Sequence, residues 1–233
     1  MAVPKLEHPT ILLTRPVEAG QEFAAKLAQV GVSEPIVCSP SMRVEPEEVP
    51  GLAGVEGVIF TSQNGVAAVD GRDLPAWCVG DATAAAARSK GWRAISAGGD
   101  AETLYQRILA DAPQGPLLHL RGEHARGALA ERLSGVGVRT RDQVVYRQVS
   151  QELNEGAKRL LAGKYPVLVP LFSPRTARLL VEAGPFTAPI YAVVISDAVA
   201  ENLAGLECEV VEVAQNPDAT SMIAAIRRLI RAD

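Results

Sequence analysis

Two arginine residues follow apolar runs in this sequence, where their guanidinium groups could bind an anion. Arg15 follows the run 11–14, and Arg121 follows the run 117–120. A guanidinium can bind a carboxylate through two hydrogen bonds, and helix starts add a partial positive charge. These features predict a site for a ligand with several carboxylates. Further polar residues at predicted strand ends are Thr61, Ser62, Asp81, Thr83, Ser173, Arg175, Ser196 and Asp197.

Several of these residues also suit a purely structural role. Thr61, Ser62 and Ser173 fit the N-cap position of a helix, and Pro174 fits its first turn. Gly80 is expected to allow a tight turn or a close approach of the chain, which favours neither role. Asp100 and Asp218 are predicted to be caps only.

The elements that must position these residues follow a long-period duplication. Each half has apolar strands that alternate with amphipathic helices, which predicts βαβ units and a parallel sheet covered on both faces. Two such sheets indicate an α/β protein of two domains. Composition alone places a boundary at 111–116. The matching segments are 11–16 with 117–122, 58–64 with 169–175, 76–82 with 191–198, and 100–104 with 218–222.

Composition argues against several functional classes. The 233 residues carry 23 basic and 27 acidic side chains without a long block of either sign, so nucleic-acid binding is not expected. The apolar runs are far shorter than the roughly 18 residues of a membrane span, and the start of the chain lacks the features of a secretion signal. We therefore expect a cytoplasmic protein without a membrane partner.

The motifs of metal and cofactor chemistry are missing from the sequence. Cys38, Cys78 and Cys208 are widely separated, are expected to be buried and form no C-x-x-C pair. His119 and His124 lack ligand spacing, so no metal site is predicted. The sequence also has no G-x-G-x-x-G fingerprint, phosphate-binding loop or G-x-S-x-G elbow. A nucleotide-dependent enzyme is accordingly disfavoured.

An ordered set of short motifs resembles the uroporphyrinogen-III synthase family over nearly the whole chain. The motifs are Leu13-Thr14-Arg15-Pro16, Ile59-Phe60-Thr61-Ser62, Val79-Gly80-Asp81-Ala82-Thr83, Val145-Tyr146-Arg147 and Phe172-Ser173-Pro174. The resemblance implies two similar flavodoxin-like parallel-sheet domains that exchange their first βα units. It places one domain at residues 1–36 plus 150–233 and the other at 39–145, with extended connectors near 37–38 and 146–149.

The resemblance also implies an activity that needs no cofactor. Family members cyclise hydroxymethylbilane, a linear tetrapyrrole, with loss of water and inversion of its last ring. Tyr146 matches the tyrosine of the family's second connector, and its hydroxyl could assist departure of the leaving hydroxyl. Many members carry Gly-Pro-Thr-Thr where this chain has residues 196–199, so a threonine contact is lost and its replacement by Ser196 is a hypothesis. The implied substrate-binding residues are Arg15, Thr61, Ser62, Gly80, Asp81, Ala82, Thr83, Arg121, Gly122, Ser173, Pro174 and Ser196.

A second hypothesis is a two-domain α/β anion-binding or regulatory module without catalysis. It explains the duplication and the polar strand ends, but it gives no role to Tyr146. We expect a monomer, because no additional apolar stripe is visible, and the resemblance allows a transient contact with the preceding enzyme of the pathway.

Overall fold

The computed structural model describes Leu6 and residues 8–49, 51–124 and 127–230. By its contacts the chain divides into two compact units. Unit 1 comprises Met1–Arg43 and Ser150–Asp233, and unit 2 comprises Val44–Val149. In chain order the elements are β1 (Thr10–Leu13), α1 (Val17–Gln29), β2 (Ile36–Cys38), β3 (Met42–Pro46), β4 (Gly57–Phe60), α2 (Gln63–Ala67), β5 (Pro75–Cys78), α3 (Asp81–Ser89), β6 (Arg93–Ser96), α4 (Ala101–Asp111), β7 (Leu117–Gly122), α5 (Leu129–Gly135), β8 (Thr140–Ser150), α6 (Glu155–Leu161), β9 (Val167–Leu171), α7 (Pro174–Ala183), β10 (Ile190–Val194), α8 (Asp197–Glu201), β11 (Val210–Val213) and α9 (Ala219–Ile230).

Unit 1 is built on a parallel sheet with the strand order β11-β10-β9-β1-β2. Every residue of β9 is buried, as expected for a strand covered on both faces. Successive side chains point to opposite faces, so Ile11 and Leu13 pack with α1 and α9, whereas Leu12 packs with α6 and α7. The unit therefore has one apolar layer on each side of its sheet.

Unit 2 repeats this plan with the strand order β3-β8-β7-β4-β5-β6. The ladders between β8 and β6 are parallel. Val58, Phe60 and Leu120 lie in one apolar cluster, and Ile59 and Leu117 lie in the cluster on the opposite face. Both units are thus α/β structures with mostly parallel sheets, and the predicted fold class is confirmed.

The ladders agree with the duplication in the sequence. Ile11 is opposite Leu168 in unit 1, and Leu117 is opposite Gly57 in unit 2. The strand register is therefore the same in both units when 11–16 is matched with 117–122 and 58–64 with 169–175. The chain order differs between the two units. In unit 1, β1, α1 and β2 come first in the chain, whereas their counterparts β7, α5 and β8 come last in unit 2.

The segments expected as extended connectors have strand structure. Val37 and Cys38 are the last residues of β2, because they pair with Leu12 and Leu13. Residues 146–149 lie in β8. The composition-based boundary at 111–116 falls inside unit 2, between α4 and β7.

The expectation of three buried thiols is also wrong for Cys38, which is exposed. Cys78 is buried and Cys208 is half-buried, and burial raises the pKa of both thiols to about 11. No helix within the described residues is long and apolar enough to cross a membrane.

Candidate active site

The predicted site residues lie where parallel strands end and helices begin. In each unit the carboxyl ends of the strands share one edge of the sheet, which is where open α/β sheets bind ligands. The unit 1 edge carries Arg15, Ser173, Pro174 and Ser196, and the unit 2 edge carries Thr61, Ser62, Gly80, Asp81, Ala82, Thr83, Arg121, Gly122 and Tyr146.

Arg15 lies over an aromatic ring in unit 1. Its guanidinium carbon is 4.0 Å from the ring centroid of Phe172, and Phe172 meets Phe23 edge to face at 4.9 Å. Burial lowers the pKa of the guanidinium, and the charge of Glu22 partly opposes this effect. Within the described part of the chain, no hydrogen bond or ion pair engages this guanidinium. Its N–H groups are therefore available for a carboxylate.

The pseudo-equivalent Arg121 is engaged by its own unit. Its Nε lies 3.3 Å from Oδ2 of Asp142, and one terminal nitrogen donates to the carbonyl oxygens of Gly122 at 3.0 Å and Glu123 at 3.2 Å. The two arginines of the duplication thus occupy different environments. Arg121 braces the end of β7, whereas no described residue accepts from the Arg15 guanidinium.

A buried histidine connects Thr61 with Asp142. The side chain of His119 is only 4% exposed, and its Nδ1 lies 2.8 Å from Oδ1 of Asp142. Its Nε2 lies 3.1 Å from Oγ1 of Thr61. Burial lowers the pKa of the imidazole, Asp142 raises it to a smaller extent, and Arg121 lowers it. The buried site therefore favours the neutral imidazole.

The strand register produces this arrangement. His119 is opposite Asp142 in the β7–β8 ladder and opposite Ile59 in the β4–β7 ladder. Thr61 comes two residues after Ile59, so its side chain lies on the same face of the sheet. Sequence reasoning did not place His119 beside Thr61, although a histidine within a strand of leucines must find hydrogen-bonding partners when it is buried.

Tyr146 lies over Gly122 at an irregularity of the β7–β8 ladder. Arg121 pairs with Val144 and the next residue, Gly122, pairs with Tyr146, so β8 contains one extra residue there. As a consequence Val145 and Tyr146 both pack in the same apolar cluster. A β-carbon on Gly122 would lie 2.5 Å from the Cζ atom of Tyr146, so only glycine fits beneath the ring. The bulge thereby sets the orientation of the tyrosine.

The serine residues at the helix starts differ in their hydrogen bonds. Ser62 Oγ accepts from the backbone N–H of Asn64 at 3.1 Å, and Ser173 Oγ accepts from that of Thr176 at 3.2 Å. Both are caps, as the alternative interpretation predicted. Ser196 occupies the same position before α8, but its side chain makes no capping hydrogen bond. The Ser196 hydroxyl is therefore not committed to its helix.

The Gly80–Thr83 segment begins α3 at the edge of unit 2. Gly80 has an extended backbone, and a β-carbon there would only touch the Gly99 carbonyl oxygen at 3.8 Å, so the expected tight turn or close approach is absent. Asp81 accepts from Ser96 Oγ at 2.7 Å. Thr83 is buried, and Ala82 is exposed. Asp81 and Ala82 are thus more accessible than Thr83. No group of metal-ligating side chains occurs among the described residues.

Comparisons with known proteins identify the family of this chain. The family model described as "Uroporphyrinogen-III synthase HemD" matches residues 21–224. Uroporphyrinogen-III synthetase from Helicobacter pylori 26695 has a similar structure, with a TM-score of 0.65 and 15% identity over 95% of this chain and 99% of that chain. A mutant uroporphyrinogen III synthase from Thermus thermophilus matches with a TM-score of 0.47 and 16% identity, over 97% of this chain and 100% of that one. No curated protein sequence matches significantly. The family match spans most of the 233 residues, and the chain therefore belongs to the uroporphyrinogen-III synthase family.

Proposed function

We propose that the chain cyclises hydroxymethylbilane to uroporphyrinogen III, with loss of water and inversion of the last pyrrole ring. The observation that carries this proposal is the family match over residues 21–224. The reaction makes the protein a cyclising hydro-lyase of tetrapyrrole biosynthesis. We further propose that it works in the cytoplasm as a monomer, that units 1 and 2 are its two domains, and that it receives the substrate through a transient contact with the preceding enzyme.

Positioning is the main contribution that this reaction requires. Loss of the terminal hydroxyl leaves an electrophilic azafulvene, and the product then depends on which carbon of the last ring attacks it. Orientation of reacting groups within one molecule can supply about 7 to 11 kcal/mol, which is ample to select one carbon over its neighbour. The side chains described above include no activated nucleophile, and this mechanism needs none.

The carboxylates of the substrate are assigned first to Arg15. Its guanidinium is stacked on Phe172 and has N–H groups to donate, so a carboxylate can bind through two hydrogen bonds. Backbone N–H groups at the start of α3 and α7, together with Ser62 and Ser196, are proposed to bind further carboxylates. Arg121 is assigned a supporting role, because Asp142 and two backbone carbonyls already use its donors.

Tyr146 is proposed to assist departure of the hydroxyl group. Its ring is held between the apolar cluster of unit 2 and Gly122, which restricts its orientation. The phenol can donate a hydrogen bond or a proton to the leaving oxygen, and the proton is regained when the free α-carbon of the last ring loses its hydrogen. Water is thus the only product besides the macrocycle.

Freshly prepared hydroxymethylbilane tests the activity directly. We expect the type III isomer in excess over the type I isomer that forms without an enzyme, measured by chromatography after oxidation to the porphyrins. Formation of type I alone, at the uncatalysed rate, would leave a binding module as the function.

The same assay tests the assigned tyrosine. Tyr146→Phe should lower kcat by more than about tenfold, because the proton donor is lost while the ring and its packing remain. Tyr165→Phe is the matched control, since Tyr165 is 70% exposed and outside both sheet edges. Equal turnover of Tyr146→Phe and the wild type would remove the proposed role.

A further inference from the structure

His119 uses both ring nitrogens, and the identity of their partners determines which nitrogen carries the proton. Asp142 presents carboxylate oxygens that also meet the Arg121 guanidinium, so they accept hydrogen bonds. Nδ1 must then carry the hydrogen of a neutral imidazole. Nε2 is left with its lone pair directed at Oγ1 of Thr61, 3.1 Å away.

This tautomer fixes the role of the Thr61 hydroxyl. The single hydroxyl hydrogen is donated to Nε2, and the oxygen keeps its lone pairs for a ligand. Thr61 is half-buried just after the end of β4, so its side chain is not closed off from this edge of the sheet. The hydroxyl is therefore an acceptor towards anything bound at this edge of unit 2.

An acceptor does not suit the carboxylates of a tetrapyrrole. Ionised carboxylates have no hydrogen to donate, whereas each pyrrole ring carries one N–H donor. We propose that Asp142 and His119 are positioning residues that hold the Thr61 hydroxyl as an acceptor for a pyrrole N–H group of the substrate. This inference rests on the proposed function and separates two tasks, with Arg15 and helix starts holding carboxylates and Thr61 orienting a ring through its nitrogen.

The charged side chains that face His119 within the described residues are Asp142 from β8 and Arg121 from β7. The apolar cluster on that face includes Leu104 of α4 and Leu133 of α5, and Asp111 of α4 accepts from Trp77 Nε1 at its border. When acid protonates His119, Nε2 gains a hydrogen and donates to Thr61. The hydroxyl then accepts from Nε2 with one lone pair and its own hydrogen becomes free to donate, so it no longer acts only as an acceptor and binding of a pyrrole N–H is weakened.

Nuclear magnetic resonance can test the tautomer without any assay of turnover. In protein labelled with nitrogen-15 at histidine, the His119 signals are assigned by their loss in His119→Gln. At pH 7.5 we expect a protonated Nδ1 and an unprotonated Nε2. The opposite tautomer, or an imidazolium at that pH, would overturn the inference even if the enzyme makes type III product.

Asp142→Asn tests the consequence for the substrate. The asparagine amide can donate to Nδ1, which moves the ring hydrogen to Nε2, occupies one Thr61 lone pair and frees the Thr61 hydrogen to donate. We expect kcat/KM to fall by roughly tenfold, the usual scale of a lost hydrogen bond to a ligand. Thr61→Ser should retain activity. Thr61→Val should lower kcat/KM about as much as Asp142→Asn does. Asp73→Asn, which breaks the exposed pair with Arg93 at 3.1 Å in the same unit, should have no effect.

The double variant separates positioning from a structural effect. Asp142→Asn should cause no further loss in the Thr61→Val background, because it acts through that hydroxyl. An equal loss in both backgrounds would show that Asp142 acts by another route. Should Asp142→Asn fail to fold, full activity of Thr61→Val would still contradict the inference.

Substrate analogues test the choice of a pyrrole N–H. Each mono-N-methylated hydroxymethylbilane lacks one donor, and the wild type should discriminate roughly tenfold against the analogue whose altered ring faces Thr61. Thr61→Val should lose that discrimination. Identical preferences of both proteins across the analogues would refute the assignment. Type I product from the wild type would instead contradict the proposed function and leave the tautomer result unaffected.

Discussion

At the scale of single residues, matching positions of the duplication do not have equivalent environments at the site. Arg15 and Arg121 occupy matching places in the duplication, yet one stacks on Phe172 and the other pairs with Asp142. The difference comes from the adjacent strand. Cys38 in β2 of unit 1 occupies the position that corresponds to Asp142 in β8 of unit 2, and it offers no carboxylate. Residue type and strand position could be predicted, but the partner on the adjacent strand could not.

Gly122 shows how a neighbouring strand limits a single position. We expect Gly122→Ala to lower the free energy of unfolding by about 1 to 3 kcal/mol, because the new methyl group would overlap the ring of Tyr146. Activity should fall as well, since the tyrosine must move. Urea denaturation followed by circular dichroism measures the first effect, and the isomer assay measures the second.

Gly135→Ala provides the control for Gly122→Ala. Gly135 ends α5 in the same unit, and a β-carbon there would meet no atom within 4 Å. Its stability should be unchanged or slightly higher, as alanine is the better helix former. A Gly122→Ala protein as stable and active as Gly135→Ala would mean that the ring of Tyr146 is not held against β7.

At the scale of elements, the sequence indicated strands, helices and their duplication, because buried parallel strands are apolar throughout and caps have recognisable residues. Asp100 caps α4 through the backbone N–H groups of Glu102 and Thr103, as predicted. The bulge beside Tyr146 could not be predicted, because one extra residue in β8 leaves no sign in the apolar pattern 144–146. The ends of β2 and β8 could not be predicted for a related reason, since extended connectors and strands share the same residue preferences.

The helix starts of unit 1 offer a matched pair of serines. Ser173→Ala should lower the free energy of unfolding by about 1 kcal/mol, because α7 loses the hydrogen bond from Thr176 N–H to Ser173 Oγ. Ser196→Ala should change it by less than about 0.5 kcal/mol, because Ser196 makes no side-chain cap. Urea titrations of both variants give the comparison.

Kinetics of the same two variants address the substrate. If Ser196 binds a carboxylate, Ser196→Ala should raise KM for hydroxymethylbilane several-fold while stability stays the same. Unchanged KM in Ser196→Ala would leave the start of α8 without a side-chain role at the site. A large loss of stability in that variant would contradict the difference between the two serines.

At the scale of the whole molecule, one unit is continuous in the chain and the other is not. Unit 2 is a continuous segment, 44–149, whereas unit 1 needs residues from both ends of the chain. The repeat in the sequence predicted two similar domains, but local patterns could not say which copy each terminal segment joins. That assignment depends on the pairing of β1 with β9, whose residues are about 155 positions apart, as in Thr10 with Val167.

This asymmetry predicts different behaviour of separate fragments. A fragment of residues 44–149 should fold and unfold cooperatively, because it contains the parallel sheet from β8 to β6 with both of its apolar layers. A fragment of residues 150–233 should not, since β9 would lose β1 as its neighbour and the apolar surface beneath α9 would lose Phe23 and Leu27. Circular dichroism and urea titration distinguish the two outcomes.

Recombination completes the test. Adding a peptide of residues 1–43 to the fragment 150–233 should restore a cooperative transition, because it supplies β1, α1 and β2 to the middle and edge of the sheet. The peptide should leave the unfolding of fragment 44–149 unchanged, since that segment contains its own counterparts β7, α5 and β8. Cooperative folding of 150–233 by itself would mean that its three strands form a sufficient core, and the exchange of the first βα segment would then be dispensable for the stability of unit 1.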